Sequence, residues 1–135
     1  MPDQPNILYI MTDLQSASAM SCGGNRDVST PAMDSLAAEG VRFDRAYCSF
    51  PLCLPARTSM VTGRMPHELG ITGNGGQLTD DQLDRTLFHE MTRAGYECAY
   101  AGKVHLPVDP RRGYAASYGY EELAPMGDPP IAPAC

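Results

Sequence analysis

An uninterrupted apolar run near the start of the chain constrains its fold more than any other feature. Residues Asn6 to Met11 read NILYIM, with β-forming residues at the centre, Pro5 before them and Thr12-Asp13 after them. An apolar run of this length without polar alternation is typical of a strand buried on both faces, as in a parallel sheet. Asp13 would then lie at the carboxyl end of that strand, where open α/β sheets build their sites.

A helix and a second strand are predicted after this run. Thr30-Pro31 combines an N-cap residue with proline at the first helical position, and the apolar spacing before Gly40 predicts a helix over Pro31 to Glu39. Val41 to Tyr47 begins with alternating apolar and polar side chains, which predicts a strand with one wetter face. Strand, helix and strand form a βαβ unit, so we expect an α/β fold with a mostly parallel sheet flanked by helices.

The rest of the chain up to residue 106 continues this pattern. We expect a helix over Ala56 to Thr62, a surface loop over Gly70 to Asp81, a helix that carries Leu83, Leu87, Phe88 and Met91 on one face, and a third strand entered at Glu97 to Ala101. That strand would end at Gly102-Lys103-Val104-His105.

Charge and composition exclude several classes of partner. Ten Lys and Arg against sixteen Asp and Glu give a net charge of -6, which argues against a nucleic-acid surface or a polybasic membrane anchor. No window approaches the roughly 18 to 20 apolar residues of a membrane span. Met1 to Pro5 lacks the basic and apolar regions of a signal peptide. We therefore expect a cytoplasmic protein with reduced cysteines that acts on a small molecule.

The last 29 residues differ from the rest of the chain. Six of the twelve prolines lie between Pro107 and Cys135, and this stretch has no apolar periodicity. We therefore predict a folded part over residues 1–106 and an irregular tail over residues 107–135, and we interpret the tail as a point of truncation.

Five side chains could carry chemistry, and each also has a simpler structural interpretation. Asp13 could cap a turn, while Arg57 and Arg64 could be ordinary solvated or ion-paired arginines. Lys103 and His105 lie two residues apart at the end of a predicted strand, so they would share one face. A cation beside an imidazole suits anion binding with proton transfer, although such pairs also occur on exposed edges.

Cys53 is the sharpest candidate for a nucleophile. Pro51 and Pro55 favour an extended backbone around it, and Arg57 follows one helical turn later if a helix begins near Pro55. A thiol at a helix N-terminus beside a guanidinium would be activated as a nucleophile. The alternative is a small buried apolar residue, and the residues alone leave both open.

Four ordered blocks of sequence together resemble the sulfatase family. They are PNILYIMTD ending at Asp13, STPAMDSLAAEGVRF ending at Phe43, CLPARTSMVTGR from Cys53 to Arg64, and GYECAYAGKVHL from Gly95 to Leu106. The third is similar to the family's C-x-P-x-R motif, in which the cysteine is converted to formylglycine. The resemblance implies that residues 1–106 form the N-terminal part of a sulfatase catalytic domain with an alkaline-phosphatase-like α/β sandwich.

The resemblance also implies catalytic roles for individual residues. Cys53, as formylglycine hydrate, would attack the sulfur of a sulfate ester. Arg57 would hold the oxygens of the hydrate, Lys103 would bind the sulfate and the nucleophile, and His105 would hydrogen-bond the hydrate and assist its regeneration. The implied partners are a small-molecule or saccharide sulfate ester and a formylglycine-generating enzyme.

A divalent cation, usually calcium in this family, is implied as the cofactor. Asp13 and the modified Cys53 would be ligands, and Gln15 could substitute for the second acidic residue that many members carry where this chain has Leu14. Other family ligands, a further lysine and the leaving-group histidine come from sequence with no match here. We therefore expect the 135-residue chain to be inactive alone.

Two other interpretations stay open at this point. One is a phosphonate or phosphate monoester hydrolase of the same superfamily, because the same nucleophile and metal serve both kinds of anion. The other is a non-catalytic truncated product whose incomplete sheet exposes an edge.

Overall fold

The computed structural model describes residues 4–107 and the backbone of residues 121–124. Within these residues lie a short 3₁₀ turn, four helices and two strands: the turn Ala17–Ala19, α1 Pro31–Glu39, α2 Cys53–Thr62, α3 Asp80–Leu83, α4 Leu87–Arg93, β1 Ala99–Ala101 and β2 Glu121–Ala124. None of the helices in this part of the chain is long and apolar enough to cross a membrane.

The two strands form a parallel pair. Ala99 is in register with Glu121 and Tyr100 with Glu122, and an irregularity follows before Ala101 pairs with Ala124. A parallel pair agrees with the predicted sheet type, because parallel strands are the rule where helices alternate with strands. The third predicted strand therefore exists, although it is shorter than the predicted Glu97 to Ala101.

The chain divides into two compact units, residues 1–46 and residues 47–135. The division predicted from the sequence, at residue 106, is a different one and stays a prediction, since residues 108–120 and 125–135 lie outside the described part of the chain.

The second unit contains an apolar core to which α2 contributes. Its members come from α2, from the loop after it, from α3 and from the segment after β1, and they are Leu54, Val61, Leu69, Ile71, Leu78, Leu83, Val104 and Leu106. Phe88 of α4 and Tyr100 of β1 pack against this core while partly exposed. The helix that begins at Cys53 and the turn that carries Lys103 are thus anchored in the same core.

The first unit is built around α1 and a polar network at its start. The Ser21 hydroxyl donates to both carboxylate oxygens of Asp34, at 2.9 and 2.7 Å, and the Thr30 backbone N–H donates to the Ser21 hydroxyl at 2.9 Å. The hydrogen bond from Ser21 is the main reason that the pKa of Asp34 lies below its usual range. This network attaches the loop around Ser21 to the first turn of α1.

Two predicted strands in the first unit are wrong. The run from Asn6 to Met11 has no regular structure and is exposed, with Leu8 84% and Ile10 75% accessible. Val41 to Tyr47 is likewise irregular and exposed. A strand is stabilised by the hydrogen-bonded neighbour beside it, and among the described residues neither segment has one.

The predicted helices agree with the structure better than the predicted strands do. α1 has the predicted bounds, with Pro31 at its first position and Gly40 as its C-cap. The helix predicted around Leu83 and Met91 is split into α3 and α4. Thr79 begins α3 with a capping box to Gln82, and Thr86, in an extended conformation, interrupts the helical backbone before α4.

Candidate functional site

Helix α2 begins at Cys53, three residues before the start predicted from the sequence. Leu52 is the N-cap in an extended conformation and has no side-chain cap, and Pro55 lacks an N–H. The first turn therefore presents the backbone N–H groups of Cys53 and Leu54 as its orphan donors.

An asparagine from a distant loop satisfies one of these donors. The Leu54 N–H donates to Asn74 Oδ1 at 3.3 Å, although Asn74 lies twenty residues further along the chain. Only a surface loop over Gly70 to Asp81 was predicted there, with no role for Asn74. An asparagine among glycines is ordinary turn chemistry, so no local signal could have identified this cap.

The motif around Cys53 is largely buried. Leu54, Pro55 and Arg57 are buried, whereas Cys53 and Ala56 are partly exposed. Cys53 is therefore at a partly accessible position of a motif whose proline and arginine are packed into the second unit.

Arg57 lies four residues after Cys53, so both side chains project from the same face of α2. Arg57 is 7% exposed, and its Nη1 donates to the Lys103 carbonyl oxygen at 2.9 Å. The structure thereby joins α2 to the turn that carries Lys103 and His105, across 46 residues of sequence. A buried guanidinium needs such acceptors, because burying an unsatisfied charge is costly.

Lys103 and His105 follow β1 in an irregular turn. The strand ends at Ala101, so the prediction that they share a strand face is wrong. Gly102 has a φ of 105° and His105 a φ of 42°, which are left-handed conformations that a strand does not contain. Lys103 is exposed, and His105 is half-buried between the buried residues Val104 and Leu106.

Asp13 and Gln15 belong to the first unit, whereas the other four site residues belong to the second. Asp13 is exposed, and Leu14 after it has a left-handed φ of 56°. Gln15 Nε2 donates to the sulfur of Met33 at 3.4 Å, which orients the amide.

The described residues do not make a calcium site by themselves. Asp13 and Gln15 offer hard oxygen donors, but calcium takes about six to eight oxygens. No group of three or more His, Cys, Asp or Glu side chains with metal-binding geometry occurs within residues 4–107. The roles of Asp13, Gln15 and Cys53 as metal ligands therefore remain predictions.

Comparison with known proteins gives one consistent family. The family model described as Sulfatase matches residues 5–128. An N-acetylglucosamine-6-O-sulfatase of Bacteroides thetaiotaomicron is 41% identical over 80% of this chain and 19% of its own length. Arylsulfatase A of Homo sapiens is 33% identical over 82% of this chain and 22% of its own length.

A solved structure agrees with these relatives. It is described as a complex with its substrate D-glucosamine-2-N,6-O-disulfate, and it matches with a TM-score of 0.73 and 41% identity over 80% of this chain and 22% of its own. The chain spans 19% to 25% of the length of the first four curated relatives. The fold predicted from the sequence, the N-terminal part of an alkaline-phosphatase-like α/β fold, is confirmed, and the chain belongs to the sulfatase family.

Proposed function

We propose that this chain carries the nucleophile segment of an enzyme that hydrolyses sulfate esters, with Cys53 converted to formylglycine. The observation that supports this most is the link from α2 to the turn after β1. Cys53 starts α2, Arg57 follows on the same helix face, and Arg57 is hydrogen-bonded to the backbone of Lys103. A nucleophile and a cation on one helix face, joined by a hydrogen bond to the backbone of a segment that carries a second cation, suit attack on an anionic ester.

The chemistry needs both hydroxyls of the formylglycine hydrate. One hydroxyl oxygen attacks the sulfur and loses its proton, the bond from sulfur to the ester oxygen breaks, and the ester oxygen takes up a proton in exchange and leaves as the alcohol. The second hydroxyl then loses its proton, its oxygen forms the aldehyde double bond, and the bond from carbon to the sulfated oxygen breaks to release sulfate. Water adds to the aldehyde to regenerate the hydrate.

Each cation and the imidazole have a distinct task in this scheme. The Arg57 guanidinium and the Lys103 ammonium stabilise the negative charge of the sulfuryl oxygens and of the hydrate oxygen. Neutral His105 accepts the proton that the second hydroxyl loses, as a general base.

A sulfated saccharide is the substrate class that we propose. The curated relatives include an N-acetylglucosamine-6-O-sulfatase and an N-acetylgalactosamine-6-O-sulfatase, and the solved structure holds a sulfated glucosamine. These names describe the relatives, and they support a sugar sulfate as the first substrate to test.

Conversion of Cys53 is proposed to precede folding. The maturing enzyme has to read Leu54, Pro55 and Arg57 around the cysteine, and all three are buried once α2 has formed. The motif is therefore accessible to the maturing enzyme on the unfolded chain and inaccessible on the folded one.

Kinetics on two esters tests the proposed function. The protein expressed from its whole coding sequence together with a maturing enzyme is expected to hydrolyse an aryl sulfate with a higher kcat/KM than the matching aryl phosphonate. A matched preparation of Cys53→Ala should hydrolyse neither. Preference for the phosphonate would replace the proposal by a phosphonate hydrolase, and equal rates for wild type and Cys53→Ala would remove Cys53 from the reaction.

A further inference from the structure

The turn after β1 has a backbone that requires support. Gly102 adopts its φ of 105° without a side-chain penalty, whereas the φ of 42° at His105 is unfavourable for a residue that carries a side chain. Such conformations persist where the surrounding structure over-determines them. The groups that fix this turn are therefore part of what positions Lys103 and His105.

Two kinds of contact fix the turn. Val104 and Leu106, on either side of His105, are buried in the core of the second unit. Between the two left-handed residues, the Lys103 carbonyl oxygen accepts two hydrogen bonds, one from Arg57 Nη1 at 2.9 Å and one from the Tyr100 hydroxyl at 2.6 Å.

Tyr100 is itself held in place. Its backbone is in β1, in register with Glu122 of β2. Its ring packs edge-to-face on Phe88 of α4, with centroids 6.0 Å apart, a geometry that aromatic pairs prefer. The phenol therefore reaches the Lys103 carbonyl from a strand and a ring contact that are already fixed.

We propose that Tyr100 is a positioning residue for this site: its hydroxyl, together with Arg57, pins the Lys103 carbonyl and so holds the Lys103–His105 turn in its strained conformation. The tasks of Lys103 and His105 in hydrolysis rest on the proposed function, whereas the pinning of the turn does not. Tyr100 acts on the site through the backbone of Lys103.

Hydrogen exchange tests the pinning directly. Tyr100→Phe keeps the ring on Phe88 and removes only the hydroxyl. In the protein expressed from its whole coding sequence, the backbone amides of residues 104–106 are expected to exchange roughly three- to tenfold faster, which is what loss of one hydrogen bond produces. The amides of α4 should keep their rates. Tyr47→Phe is the matched control, because its ring is 87% exposed.

Hydrolysis of an aryl sulfate gives the second readout. With equal conversion of Cys53, Tyr100→Phe should lower kcat about three- to tenfold with KM nearly unchanged, because the hydroxyl does not touch the substrate. The inference would be overturned if Tyr100→Phe left the exchange rates of residues 104–106 unchanged, or raised the exchange rates of the α4 amides by the same factor. If Tyr100→Phe exchanges faster at residues 104–106 as expected but the wild-type protein hydrolyses no sulfate ester, the proposed function is overturned and the pinning of the turn stands.

Discussion

Lys103→Ala is expected to lower the turnover of an aryl sulfate by about 10²- to 10³-fold, the range seen when a charge-stabilising donor is removed from a reaction centre. Lys103 is the only lysine in the chain. Its side chain is exposed while its carbonyl is bound by Arg57 and Tyr100. The substitution removes the ammonium and leaves the backbone contacts in place, so stability should change little.

The measurement is kcat of the protein expressed from its whole coding sequence, with the conversion of Cys53 checked in each preparation. Arg85→Ala is a suitable control, because Arg85 is an exposed cation paired with Asp81 within the α3 region. An unchanged kcat in Lys103→Ala would remove the ammonium from the site.

Ile71→Ala is expected to destabilise the protein by about 2–5 kcal/mol, the usual cost of truncating a buried aliphatic residue. Ile71 is 1% exposed and lies in the core that α2 shares with Val104 and Leu106. It also begins the loop from which Asn74 caps α2. The truncation should therefore loosen the cap as well as the core.

Urea unfolding of Ile71→Ala beside Ile10→Ala measures this effect. Ile10 is 75% exposed, and its truncation should change the free energy of unfolding by less than about 0.5 kcal/mol. An equal decrease in the free energy of unfolding of the two variants would contradict this expectation. It would mean that Ile10 is as buried in solution as Ile71 and that the run Asn6 to Met11 is packed in the protein.

Local signals in the sequence were enough to predict the helices. The bounds of α1 follow from Thr30-Pro31 and Gly40, which act on the residues beside them. The first turn of α2 is capped by Asn74, Thr79 caps the start of α3 with its side chain, and Thr86 begins α4 without a side-chain cap. Asn74 is twenty residues away from the helix that it caps, so its role depends on the tertiary fold.

Strands were predicted less well than helices, because a strand depends on a distant segment that pairs with it. The apolar run Asn6 to Met11 has the composition of a buried strand, but composition cannot supply the neighbour that pairs with it. β1 forms because β2 lies beside it, more than twenty residues later in the chain.

The candidate site likewise has features that depend on local sequence and features that depend on contacts between distant residues. The four-residue spacing of Cys53 and Arg57 is visible in the sequence, but the predicted helix began at Ala56, whereas α2 begins at Cys53 and so carries both residues. The bond from Arg57 to the Lys103 carbonyl could not be predicted, because it joins residues 46 positions apart. The family motifs predicted the segment around Cys53 and the segment around Lys103, but not the contact between them. The structure also shows that the Tyr100 hydroxyl is a second donor to the Lys103 carbonyl oxygen.

The mass of the Cys53 peptide tests the central claim most directly. When the whole coding sequence is expressed together with a maturing enzyme, the peptide that contains Cys53 is expected to carry the formylglycine aldehyde. Protein that has folded without the enzyme and is mixed with it afterwards should keep the thiol, because Leu54, Pro55 and Arg57 are buried. An intact thiol after co-expression would contradict the account.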